Sequence, residues 1–343
     1  MSYRGKTVLV TGHTGFKGSW LSLWLLSMGA KVVGYSLPPS TKPSLFELIQ
    51  LGDEILDIRG DIRDISKLEE TIHSSRPELI FHLAAQPIVL DSFKKPKETF
   101  DINASGTVNL LEAARNSPSV RGVVVVTTDK CYDNKGSIFG YREHDHLGGS
   151  DPYSASKAMA ELAAGAYRSS FKTPLIATAR AGNVIGGGDY SPYRLLPDSV
   201  KALIKKEPIE VRNPKSVRPW LHVLDSLSGY LTLGKRLLAD DAFYAQPWNF
   251  GPKEQVGITT AQVVEKTIEK WGEGRWVDTG STSAPKEMPT LKLNWEKAAH
   301  YLRWEPKYSW EEAVEKTVSW YKAIYEDKSA QETCLNQIKE YEI

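Results

Sequence analysis

Two groups of residues in this 343-residue chain have types and spacings suited to proton and hydride chemistry. In Asp151-Pro152-Tyr153-Ser154-Ala155-Ser156-Lys157 the proline suits a helix start, so Tyr153 and Lys157 fall one helical turn apart on one face. A phenol with a reference pKa of about 10 is a poor base at neutral pH, but adjacent positive charge favours the phenolate, which can then take a proton from a hydroxyl. Alone, that spacing also describes an exposed pair on an ordinary helix. The second group, Thr127-Thr128-Asp129-Lys130-Cys131-Tyr132-Asp133-Asn134, follows the apolar run Val123 to Thr127. There a hydroxyl, a carboxyl and an amine stand side by side and could orient, donate and accept protons. The bland alternative is a solvated charged turn.

A third segment suits a cofactor. Thr7 to Val10 leads into Thr11-Gly12-His13-Thr14-Gly15-Phe16-Lys17-Gly18 and then an apolar helix. Strand, glycine turn and helix in that order let backbone amides and the helix dipole receive a pyrophosphate. The spacing is GxxGxxG, not the commoner GxGxxG. Gly12, Thr14, Gly15, Phe16, Lys17 and Gly18 are therefore candidate dinucleotide contacts. The second strand ends in Gly34-Tyr35-Ser36, with no carboxylate for an NAD ribose and no arginine for an NADP phosphate, so Ser36 could serve either ribose. Asp61 and Ile62 follow the third strand, where a carboxylate suits an adenine amine, and Ala84, Ala85 and Gln86 end the fourth. Beside a nicotinamide, Tyr153 and Lys157 would contact cofactor as well as substrate.

These residues need a scaffold that brings strand ends together. Short β-rich runs at Thr7 to Val10, Lys31 to Tyr35, Ile55 to Ile58, Leu79 to Leu83, Val123 to Thr127 and Leu175 to Ala179 alternate with helical patterns. The helical stretches are Trp20 to Met28, Ile65 to Ser74, Asp101 to Asn116 and Ser154 to Ser170. The alternation predicts an α/β fold: a Rossmann-type doubly wound parallel sheet with a smaller, interleaved α/β substrate domain. Residues 1–182 with about 222–250 form the expected cofactor domain, 183–221 and 251–325 the second, and 326–343 a polar, loosely packed C-terminal tail.

Composition narrows the class. Lys plus Arg number 43 against 42 for Asp plus Glu, which gives no charge excess for nucleic acid or an anionic membrane. Two cysteines, without CxxC or Cys/His spacing, support neither a disulfide framework nor a metal site and fit a reducing cytoplasm. No apolar run reaches the roughly 18 residues that span a bilayer.

The glycine turn, the strand ends and the Tyr153/Lys157 pair together resemble the extended short-chain dehydrogenase/reductase superfamily. Within it, Gly12 to Trp20, Asp129 to Asn134, Arg180 to Asp189 and Arg212 to His222 resemble the CDP-D-glucose 4,6-dehydratases from the first strand to about Trp310. The resemblance implies tightly held NAD, the substrate CDP-D-glucose and a product that feeds deoxysugar synthesis for bacterial surface polysaccharides such as lipopolysaccharide O-antigen. It implies Thr128, Tyr153 and Lys157 as the redox group. Asp129 as the acid and Lys130 as the base then serve the elimination, because oxidation at carbon 4 acidifies the carbon 5 proton while the carbon 6 hydroxyl leaves. A neutral Lys130 requires burial, and Asp129 beside it opposes neutrality, so the pair could share its proton. The resemblance further implies nucleotide contacts from Asn183, Arg194 and Arg218, with Arg212 and His222 as polar candidates in the same segments. A homodimer would pair the helices at 101–116 and 154–170, with a tetramer as the larger alternative. Three readings compete: a sugar-nucleotide 4-epimerase, a UDP-sugar 4,6-dehydratase, since UDP-N-acetylglucosamine dehydratases look similar at Asp129-Lys130, and a non-catalytic dinucleotide sensor.

Overall fold

The computed structural model describes residues 2–254, 257–280 and 290–343. Parts of the expected second domain, 255–256 and 281–289, lie outside the described residues. Seven parallel strands form one sheet: β1 (Thr7–Thr11), β2 (Lys31–Ser36), β3 (Leu56–Arg59), β4 (Leu79–His82), β5 (Gly122–Val126), β6 (Leu175–Ala181) and β7 (Pro247–Phe250). Their order is β7-β6-β5-β4-β1-β2-β3. The chain winds outward from β1 in one direction and from β4 in the other, so the carboxyl ends of those two strands form a switch point where a ligand can enter. Runs such as Val123-Val124-Val125-Val126 are buried throughout because helices cover both faces of the sheet.

The longer helices are α1 (Phe16–Ser27), α2 (Ile65–Ser75), α3 (Gly106–Arg115), α4 (Pro152–Ser170), α5 (Leu195–Ile204), α6 (Val223–Leu238), α7 (Thr260–Trp271), α8 (Trp310–Tyr325) and α9 (Ala330–Glu342). One core packs β-sheet residues against α2, α3 and α4, and a larger one joins the opposite face to α1, α6, α8 and α9. Local chemistry fixes the ends. The Asp151 side chain caps α4 by accepting from Ser154 N at 2.9 Å, with Pro152 in the first turn. Capping boxes open α7 (Thr259/Gln262) and α8 (Ser309/Glu312). The helix expected over 101–116 begins with a π-helical turn, Asp101–Ser105.

Beyond the sheet, the loop after β6 is locked in place. Trp20 Nε1 of α1 donates to Gly187 O at 2.9 Å, and the Trp320 ring of α8 lies so close that a Cβ on Gly187 would come within 2.0 Å of it. Gly186 and Gly188 are closed in the same way by Val223 and Leu45, each 2.6 Å from such a Cβ.

The expected loose tail is instead a packed helix. Ala330, Cys334, Ile338 and Tyr341 recur at spacings of four, four and three and form one buried stripe of α9, hidden in the sequence by the charged residues of the other face. Tyr341 Oη donates to the buried Asp225 carboxylate at 2.8 Å, and Trp24 Nε1 of α1 donates to Glu342 at 2.8 Å. Burial raises Asp225 to about 6, against the hydrogen bonds from Tyr341 and the backbone of Lys307 and Tyr308. Its folded value thus exceeds the unfolded one, so the associated stability, on the order of 3 kcal/mol, is complete below about pH 4 and lost as pH rises through about 6. Urea unfolding across that window should show this decline in the wild type and not in Asp225→Asn.

Candidate active site

The carboxyl ends of β1, β4, β5 and β6 open into a single cleft of about 1790 Å³. That exceeds the roughly 300–1,000 Å³ of an ordinary small-molecule pocket and suits two nucleotides side by side. Gly12, Thr14, Gly15, Phe16, Lys17, Gly18, Ser36, Asp61, Ile62, Ala84 and Ala85 line one end, and Thr128, Asp129, Lys130, Tyr153 and Lys157 the middle. Asn183, Arg194, Arg212 and Arg218 line the remainder of it.

The cofactor end is shaped for close backbone approach. Gly12 has φ +76°, and a Cβ there would lie 2.7 Å from Ala84 N. Thr14 Oγ1 donates to Leu37 O at 3.0 Å and lies 2.9 Å from Ser36 Oγ. With the threonine proton used, Ser36 donates to Thr14 and keeps its lone pairs for a ribose hydroxyl. Arg63 chelates the Asp61 carboxylate at 2.6 to 3.1 Å and holds it below the usual carboxylate range. These residues fit an adenine dinucleotide: the turn admits a pyrophosphate, and Ser36 and Asp61 offer acceptors. Gln86 does not join them. Its side chain closes a local turn, accepting from Ile88 N and donating to Ile88 O at 2.9 Å each.

In the middle, Thr128 Oγ1 donates to Asp129 Oδ1 at 3.0 Å, and the same hydroxyl lowers the pKa of Tyr153. One hydroxyl therefore acts on both an acid and a phenol. Asp129 is 2% exposed, and its Oδ2 has no hydrogen-bond partner among the described residues. Burial raises its pKa, against Lys130, the Thr128 hydroxyl and Arg218, which shifts the carboxyl towards the protonated form that a donor into the cleft needs. Lys130 is only half-buried. Burial raises Tyr153 to about 12, opposed by Thr128 and Arg194, so the ligand-free residue is a phenol. Lys157 donates to Val126 O at 3.3 Å, and burial brings it to about 8 against the opposing charge of Glu161.

In the remainder, Arg194 donates to Asp189 at 3.2 Å, and Arg212 lies 6.0 Å from the Tyr193 ring centroid. Asn183 opens a short strand, Asn183–Ile185, paired with Trp220–His222. His222 is a correction. It is fully buried outside the cleft lining, caps α6 through Nδ1 to Leu224 N at 3.3 Å, and packs edge-on against Tyr308. Burial lowers it to about 3, so it stays neutral. Arg180 is likewise withdrawn, in a buried pair with Glu161 at 2.8 Å.

Sequence reasoning missed four supporting residues: Asn103, Glu161, Asp189 and Tyr230. Asn103 stands in the π-turn, accepts from Gln86 N at 2.8 Å and donates to Ser156 Oγ at 2.9 Å, tying the β4 loop to α4. Such turns often mark functional positions, but no local spacing announces one.

Residues 9–317 match the family described as GDP-mannose 4,6 dehydratase. The chain is 46% identical to the CDP-glucose 4,6-dehydratase of Salmonella typhimurium over 94% of this chain and 92% of that protein. It is 26% identical to the dTDP-glucose 4,6-dehydratase of Xanthomonas campestris over 92% and 93%. Among solved structures, the NAD complex of dTDP-glucose 4,6-dehydratase from Bacillus anthracis superposes with a TM-score of 0.79 at 27% identity, covering 94% of this chain and 99% of that one. UDP-glucose 4-epimerase of Thermotoga maritima superposes at 0.82 with 23% identity over 93% and 99%, a likeness of fold.

Proposed function

The chain belongs to the GDP-mannose 4,6 dehydratase family, and from that membership we propose that it is an NAD-dependent enzyme that converts CDP-D-glucose to CDP-4-dehydro-6-deoxy-D-glucose and water. The cytidine substrate rests on the similarity to the Salmonella enzyme. The observation that carries dehydration is Asp129: a buried carboxyl whose pKa burial raises, beside the redox group. A 4-epimerase has no leaving hydroxyl to protonate and no use for such an acid.

The glycine turn, Ser36, Asp61, Ile62, Ala84 and Ala85 hold NAD, with residues 1–182 and 222–250 as its domain and 183–221 with 251–325 as the substrate's. Bound there, NAD supplies a reversible hydride acceptor and a ring charge that favours the Tyr153 phenolate. Tyr153 takes the proton from the sugar's carbon 4 hydroxyl, which Thr128 orients, and Lys157 stabilises the anion. Lys130 removes the carbon 5 proton and Asp129 protonates the departing carbon 6 hydroxyl; Lys130 then returns a proton to carbon 5 as the hydride taken from carbon 4 is delivered to carbon 6. Asn183, Arg194, Arg212 and Arg218 bind the nucleotide and its phosphates.

The test uses CDP-, UDP- and deoxyTDP-glucose deuterated at carbon 4, followed by mass and NMR. The expected product, formed from CDP-glucose alone, has lost one water and carries deuterium at carbon 6. Label retained at carbon 4 with unchanged mass identifies an epimerase, and no product identifies a sensor.

The assembly we propose is a homodimer. Met159 and Leu162 on α4 and Val108 on α3 are exposed and apolar, a patch that a second copy would cover. Leu162→Glu should shift sedimentation towards monomer. Among the described residues no helix is long and apolar enough to cross a membrane, and the two buried free cysteines fit a cytoplasmic setting.

A further inference from the structure

Lys17 occupies an unexpected place for a cation. It is the second residue of α1, where the helix dipole disfavours positive charge and where no acidic residue in the first turn offsets it. Its ammonium crosses towards α6, 3.4 Å from the Tyr230 hydroxyl and 5.6 Å from that ring's centroid. Among the described residues this long contact is its only hydrogen bond, which leaves most of its donor capacity for the cleft it lines.

The charges that act on Lys17 come from the substrate half: Arg194 at the start of α5, Lys157 on α4, Asp129 after β5, and Asp189 in the loop beyond β6. Tyr230, which faces it from α6, is kept protonated by burial, with Tyr153 raising it further. Ser36 and Asp61, which mark the adenosine end, are not among these charges. Lys17 and Arg194 both line the one cleft and repel each other across it, with Asp189 holding Arg194 at 3.2 Å. Cations that line one cleft are a seat for an anion, which relieves their repulsion.

We propose that Lys17 binds the diphosphate of the sugar nucleotide opposite Arg194, so that a residue of the cofactor turn is also a substrate ligand. The inference rests on the sugar-nucleotide reading above. A diphosphate could equally come from NAD, but that one has the amide groups of the glycine turn to receive it. Burial, Arg194 and Lys157 bring Lys17 to about 7, so near pH 8 the ligand-free side chain is mostly neutral. A dianion seated beside it draws a proton on, and binding then takes up protons from the buffer.

Calorimetry of the full chain, with CDP and NAD titrated separately at pH 8 in buffers of different ionisation enthalpy, tests this on wild type, Lys17→Met and Lys17→Arg. For Lys17→Met we expect CDP affinity to fall about 10- to 100-fold, NAD affinity to change less than about threefold, and the proton uptake seen in wild type to vanish. Lys17→Arg should recover most of the CDP affinity. Weakened NAD with unchanged CDP makes Lys17 a cofactor ligand and overturns the proposal, as do unchanged affinities for both. An arginine variant of normal melting temperature that gives no recovery also overturns it. If wild type binds UDP or deoxyTDP in place of CDP, the cytidine reading fails and the same three proteins are compared with the diphosphate that binds. Wild type that binds CDP normally while Lys17→Met matches it sinks this inference alone.

Discussion

Asparagine at position 129 is expected to leave sugar oxidation intact and to stop the reaction at elimination. The amide preserves the size of the side chain and can still accept from Thr128 Oγ1, now 3.0 Å from Oδ1. What it lacks is a proton to give, towards whose retention burial shifts the carboxyl. Loss of a positioned general acid costs about 10² to 10⁴ in rate, and turnover of CDP-glucose should fall by that much. The diagnostic observation is the near-ultraviolet absorbance of reduced nicotinamide. In Asp129→Asn it should rise on mixing with substrate and persist, whereas in Tyr153→Phe it should not rise. Full loss of both absorbance and product in Asp129→Asn would place the carboxyl in the oxidation step and remove it as the acid.

Glutamine at position 161 is expected to be the most damaging single change to stability. Glu161 accepts from Thr127 Oγ1, from Thr178 Oγ1 at 2.7 Å and from Arg180 Nη2 at 2.8 Å, all buried. Burial pushes its pKa up, but the Arg180 charge and these bonds outweigh it and hold the carboxylate below its usual range. Glutamine leaves the guanidinium buried without a counter-charge, which typically costs about 3–5 kcal/mol. Denaturant unfolding measures it, and Glu161→Gln/Arg180→Met should regain part of the loss because no lone charge remains. The same carboxylate raises Lys157. Its removal should therefore move the alkaline limb of the rate profile, set near 8 by Lys157, to lower pH. A profile that stayed in place would confine Glu161 to a structural role.

Local spacing made much of the site readable from sequence. Gly12, Gly15 and Gly18 announce their turn because a strand, a turn and a helix are contiguous in the chain, and Tyr153 and Lys157 share a face by helical geometry alone. The readings that the structure corrects concern side-chain partners, near or far in sequence, that no spacing pattern announces. His222 looked like a ligand beside Arg218, yet its neighbours are Leu224 and Tyr308 and its task is to cap a helix. Gln86 follows the cofactor strand but spends its amide on Ile88. The polar surface of α9 concealed a stripe whose partners, Trp24 and Asp225, lie more than a hundred residues upstream. Lys17 was assigned to the cofactor because it sits in the cofactor's turn, while the charges around it come from residues 129, 157, 189 and 194.

The lock at Gly186-Gly187-Gly188 bears on attempts to retune this scaffold for another nucleotide base. Three consecutive positions that border the substrate half admit no side chain without displacing Val223, Trp320 or Leu45. A randomised library that includes them would consist largely of unfolded members. Diversity is better concentrated at Asn183, Arg212 and Tyr193, which face the cleft from strand and loop edges where a new side chain meets solvent and ligand before it meets the core.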